Sequence, residues 1–99
     1  MVADTNLINA AKLAARITTD DYNSEVERLL NAAFLDMGVA GVELPSAIDP
    51  LVETAAITYF LLHFGEPDNY DRLERSYNEQ KAQLATHTGY TVWKADNNG

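Results

Sequence analysis

The side chains of this chain best equipped for proton transfer or metal ligation are its two histidines, His63 and His87. An imidazole titrates near neutral pH, and its neutral nitrogen binds first-row metals, so two at helical spacing would mark a hydrolytic or metal centre. These two lie far apart, and neither has a ligand-type residue four positions on, where Pro67 and Thr91 stand. His63 falls in an apolar run and reads as a core or interface histidine with a satisfied ring nitrogen. His87, near the end of a charged helical pattern, reads as a cation that complements a helix C-terminus. Carboxylates are more numerous. Asp20–Asp21 could serve as an acid/base pair, but adjacent acids at a helix start are explained by the helix dipole. "EPDNYD", from Glu66, lacks the alternating acids, glycine and distal glutamate of a calcium loop. The chain has no cysteine, which removes disulfides, thiolate metal sites and Cys–His catalysis. No phosphate-binding glycine loop or nucleophile elbow occurs. The residues point away from an enzyme, and no cofactor or metal is expected.

The elements that position these residues read as four helices in one domain spanning 1–99. The first covers about Asn6 to Arg16, with Leu7, Ile8, Ala11, Ala14, Ala15 and Ile17 on one face. In "TTDDYNSE", Thr19 or Asp20 can cap the second helix, and Ser24 with Glu27 fits a capping box. Its apolar face is Val26, Leu29, Leu30, Ala33, Phe34 and Met37, with Gly38 placed as a left-handed stop. Residues 38–48, "GVAGVELPSAI", form the one long loop. Within it Val39, Val42 and Leu44 suit a short extended piece limited by Pro45.

The third helix has an Asp49 cap, Pro50 at its first position, and Gly65 and Pro67 to end it. Leu51, Val52, Ala55, Ala56, Ile57, Tyr59, Phe60, Leu61, Leu62 and Phe64 point in every direction. A helix apolar all round is the central element of its domain, or another molecule covers part of it. The fourth runs from near Pro67 to Thr86 with the stripe Tyr70, Leu73, Tyr77 and Leu84. Asp68–Arg72, Asp71–Arg75 and Arg75–Glu79 are spaced for ion pairs along it. The expected fold is therefore all-α, a small four-helix bundle with a central apolar helix, one long loop and an extended C-terminal tail over 90–99. In that tail Tyr90, Val92 and Trp93 either fold back over the bundle or anchor a neighbouring molecule. With Val39, Val42 and Leu44 they are the candidate protein–protein interface residues.

Composition sets the outer limits. Apolar residues at 46% and charged ones at 22% are ordinary for a globular domain. A net charge of −8 opposes non-specific binding to phosphates. The longest apolar run, Ala55 to Phe64, is far short of the about 20 residues that span a bilayer. The start of the sequence lacks signal-peptide features, so an intracellular origin is expected.

The succession "TTDDYNSEVERLLNAAFLDMG", then "DPLVETAAITYFLLHFGEPDNYDRLERSYNEQKAQLATHTGYTVW", resembles the head–tail connector (head completion, or adaptor) proteins of long-tailed bacteriophages. The likeness is carried by the acidic second helix, the Asp49-Pro50 start and the apolar helix ending at Gly65. It is completed by the series Tyr70, Leu73, Tyr77, Lys81 and Leu84, and it covers about residues 17 to 93. It implies a structural virion protein of the neck, made in the host cytoplasm. Many copies, twelve as on the portal, would form a ring between the portal and the stopper or tail-completion protein; an isolated copy can be monomeric. Double-stranded DNA passes through the lumen without specific binding, and neither cofactor nor membrane is involved. An acidic wall suits such a channel, since it does not hold the sliding duplex. The alternative is a small acidic protein-binding module or regulator of phage or bacterial origin.

Overall fold

The first and third helices of this chain start at a carboxylate that caps them, and the second does not. The computed structural model describes residues 1–45 and 48–86. Among these lie four α-helices and no β-strand: α1 (Thr5–Ala14), α2 (Asn23–Val39), α3 (Pro50–His63) and α4 (Tyr70–Thr86). The expected all-α, four-helix fold is therefore observed. His87, Tyr90, Val92, Trp93 and the expected tail lie outside the described residues.

Asp4 begins α1 in extended backbone, and its carboxylate accepts the Leu7 N–H at 2.8 Å. Asp49 does the same for α3, accepting from Val52 at 2.9 Å with Pro50 as the first helical residue. Each bond satisfies one of the amide donors that a helix N-terminus leaves open. α2 is the exception. It starts at Asn23 after Tyr22, which makes no side-chain cap, so neither the Thr19/Asp20 cap nor the Ser24–Glu27 box forms. Asp20 is instead drawn to Lys12, whose Nζ donates to it at 2.8 Å. The Lys12 stem is buried while its ammonium reaches out to the exposed Asp20. That bond, then the Lys12 charge, holds the Asp20 carboxyl below its ordinary value.

Two helices end in the same device. After α1, Ile17 N–H donates to Lys12 C=O (2.8 Å) and Arg16 N–H to Leu13 C=O (3.1 Å). Arg16 takes the left-handed turn with φ +60°, the one non-glycine residue among those described to do so. After α2, Val42 N–H donates to Met37 C=O (3.0 Å) and Gly41 N–H to Gly38 C=O (3.1 Å). The left-handed residue here is Gly41, φ +96°. These paired bonds recapture orphan carbonyls at a helix C-terminus. Gly38 is thus not the stop expected of it; α2 runs through it, and the connection to α3 begins at Ala40.

α3 is the central element and touches α1, α2 and α4. Val52, Ala55, Ala56 and Phe60 have no exposed surface, and Leu62 keeps 5%. The buried Thr58 hydroxyl donates to Thr54 C=O within the helix (2.9 Å), so it reaches the core with its donor satisfied. Against α3 pack Leu7 and Ala11 from α1, Leu30, Ala33, Phe34 and Met37 from α2, and Tyr77 and Leu84 from α4. Of its large apolar side chains only Leu51, in the first turn, is exposed, while Ile57, Tyr59 and Leu61 are partly buried. The chain shelters its apolar helix unaided, so no neighbour is needed for that purpose.

Candidate protein-interaction surface

The connection from α2 to α3 spans only residues 40–49, so the end of α2 and the start of α3 lie at one end of the bundle. α4 also finishes there, because Gln83, Leu84 and Thr86 share a cleft with Leu51 and Thr54. Of the candidate interface residues, Val39 stands outward on the last turn of α2 with 88% of its surface exposed. Leu44 is half-buried and packed against the core. Val42 is buried, because the hydrogen bond that closes α2 turns its side chain back onto the bundle beside Met37. It is a core residue, so its side chain is not at the surface where an interface residue was expected. Tyr90, Val92 and Trp93 lie outside the described residues.

Among the described residues the most exposed large apolar side chains are Val39, Leu13, Leu35 and Val2. On α2, Leu35 (73% exposed) stands one turn before Val39, continuing a shallow trough formed by Glu27, Arg28, Asn31 and Ala32. At the opposite end, Leu13 on α1 is 79% exposed. Its neighbours Ala14 and Ala15 line a cleft with Leu61, Phe64 and Leu73, where α3 ends and α4 begins. Neither Leu13 nor Leu35 was singled out in the sequence. Each falls off the three-four face of its helix, and that is the signal that marks it as outward.

A polar bridge ties α2 to α4. Asp36 Oδ2 accepts from the Tyr77 hydroxyl at 2.6 Å and from Lys81 Nζ at 3.0 Å. The Lys81 ammonium lies 5.0 Å from the centre of the Tyr77 ring, which packs edge-on against Tyr59 of α3. Burial works to raise the Asp36 carboxyl, but hydrogen bonds from Tyr77 and Lys81 and the charges of Lys81 and His63 outweigh it. The net position is below the ordinary carboxylate value. Burial first, then Asp36, pushes the Tyr77 hydroxyl far above the usual phenol range. The bridge therefore holds one protonation state, carboxylate with neutral phenol, and offers no group poised for proton transfer near pH 7. Of the core and interface readings of His63 the core one does not hold: it lies exposed at the end of α3, its ring 4.2 Å from that of Tyr59. The spaced pairs of α4, Asp68–Arg72, Asp71–Arg75 and Arg75–Glu79, do not close. Among the described residues the ion pairs are Lys12–Asp20 and Lys81–Asp36.

Among the described residues no group of three or more His, Asp or Glu is placed to hold a metal ion. No helix among them is long and apolar enough to cross a membrane. Compared with known protein families, curated proteins and solved structures, the chain matches none.

Proposed function

We propose that this chain is a structural adaptor of the phage neck, forming a ring between the portal and the stopper or tail-completion protein around the DNA channel. The reading starts from the sequence's resemblance to head–tail connectors. One structural observation carries it further: exposed apolar side chains stand at opposite ends of the bundle, Leu35 and Val39 at one and Leu13 at the other. A ring closes through heterologous contacts, in which one face of each subunit meets a different face of the next. Two unlike patches on separate ends meet that requirement, whereas a two-fold dimer needs only one. The uncovered side of α3 no longer argues for neighbours, since α1, α2 and α4 cover it.

The test is co-sedimentation with the portal protein encoded in the same genome, followed by electron microscopy of the sedimented species. The wild-type chain is expected to ride with the portal as a ring. Val39→Asp and Leu13→Asp are each expected to keep a native circular-dichroism spectrum and to lose the ring. An equimolar mixture of the two variants retains one intact contact and is expected to stop at a heterodimer. If the chain stays monomeric beside its portal, or if both variants assemble normally, the proposal is wrong.

A further inference from the structure

The trough on the outer face of α2 is lined by Ser24, Glu27, Arg28, Asn31, Ala32 and Leu35. Four of these, Arg28, Asn31, Ala32 and Leu35, stand at positions i, i+3, i+4 and i+7. Those are the corners of the hole into which one side chain of a facing helix fits. Ala32 contributes only a methyl group, which leaves room between its longer neighbours, and Leu35 supplies an exposed apolar wall. The Asn31 corner is fixed beforehand, because its Oδ1 accepts the Ala3 N–H at 2.7 Å. A matching knob is present on the same chain. Leu13 is the one exposed large apolar side chain of α1. Arg16, three residues on, is exposed, and its N–H donates to the Leu13 carbonyl at the helix end. Glu27 on the trough is exposed as well, and among the described residues neither Arg16 nor Glu27 enters an ion pair.

We infer that Leu13 of one copy seats in the α2 hole of a second copy, with Arg16 of the first against Glu27 of the second. Within one copy knob and hole do not meet, since Leu13 and Leu35 both stay exposed; a second copy brings them together. The charges set the direction of docking. Arg16 follows Leu13 by about one helical turn, and successive holes along α2 are four residues, about 6 Å, apart. With α1 antiparallel to α2, Arg16 falls over the preceding hole, which Glu27 lines. Parallel docking would carry it towards Asp36, a carboxylate already engaged by Tyr77 and Lys81. Each copy carries one knob and one hole, so the contact repeats from copy to copy as a heterologous assembly requires. The inference rests on the adaptor reading in taking this as the contact that joins neighbours in the ring.

Charge reversal with rescue tests the pairing, read by sedimentation equilibrium of the full chain in concentrated solution and then by microscopy on the portal. Arg16→Glu and Glu27→Arg lie at exposed positions, so both are expected to keep the wild-type circular dichroism. Each alone sets like charges against each other and is expected to weaken self-association by at least about tenfold. The double variant Arg16→Glu/Glu27→Arg restores an opposite pair and is expected to recover most of the loss. Leu13→Ala, which removes the knob and no charge, is expected to weaken association as well. Wild type that self-associates in neither setting overturns the inference. So do single variants as strong as wild type, or a double variant no stronger than the singles. Normal rings on the portal from both single variants overturn this contact and leave the adaptor reading standing. The full pattern in solution, from a chain that does not ride with the portal, upholds the contact and sinks the adaptor reading.

Discussion

Asp36 is where a single carboxylate oxygen holds two helices together. Its partners, Tyr77 and Lys81, sit four apart on α4, so both reach the same oxygen from one face. Tyr77→Phe keeps the buried ring and deletes only the hydroxyl. A hydrogen bond to a charged acceptor contributes about 1.5–3 kcal/mol, but the Asp36 side chain is 38% exposed and water can replace the lost donor. Loss near the lower end, about 1.5 kcal/mol by urea titration, is the expected result. The bridge also sets an acid limb. The folded carboxyl is depressed relative to its unfolded value of about 3.9, so the unfolded chain takes up the proton first as pH falls. The stabilisation is fully present above that value and is lost as pH drops through the folded one. Asp36→Asn is therefore expected to flatten the dependence of melting temperature on pH below about 4.

At the scale of elements, the end of α2 separates a glycine that the backbone needs from one that it does not. Gly41 adopts φ +96°, a conformation strained for any side chain, whereas Gly38 lies inside the helix with open space where a Cβ would stand. Gly38→Ala is expected to stabilise by about 0.5–1 kcal/mol through helix propensity. Gly41→Ala is expected to destabilise by about 1–2 kcal/mol through left-handed strain. Thermal melts of the two variants should move in opposite directions, and equal losses would mean that the helix ends at Gly38 after all. For α3, Leu62 is buried and an unpaired carboxylate there has no partner. Leu62→Asp is expected to cost about 3–5 kcal/mol, much of a small domain's total of about 5–15 kcal/mol. Insoluble expression or a collapsed melting transition is the readout.

The start and stop of α3 were legible in the sequence because Asp, Pro and Gly each act through their own backbone chemistry. The start of α2 was not. Thr19, Asp20 and Ser24 in "TTDDYNSE" can each cap, and the choice fell to Lys12, a residue of another helix, which captures Asp20. The core alternative for His63 failed for a related reason. The histidine follows an apolar run, but as the last residue of its helix it passes the edge of the core.

For the molecule as a whole, the net charge of −8 is set against two ion pairs among the described residues. Repulsion among the remaining acids outweighs so few attractions. Raising ionic strength from about 0.01 to 0.15 M shortens the Debye length from about 30 to 8 Å, so the melting temperature is expected to rise with salt. A fall would mean that surface attraction dominates. The candidate surface was only partly legible. Val39, expected in the loop, stands outward on the last turn of α2, whereas Val42 turned inward because two backbone hydrogen bonds after Val39 reverse the chain.

What the sequence alone determined is local: four helical stretches, two carboxylate caps and a mid-chain segment too apolar to face water, all dictated within a few residues of one another. What only the tertiary structure decided is which neighbours satisfy that segment. α1, α2 and α4 together enclose α3, because one apolar stripe on each of three amphipathic helices suffices to surround a fourth. The same packing decided that Asp36 meets Tyr77 and Lys81. Contacts between residues some forty positions apart depend on how helices are laid side by side, and no local rule of spacing contains that information.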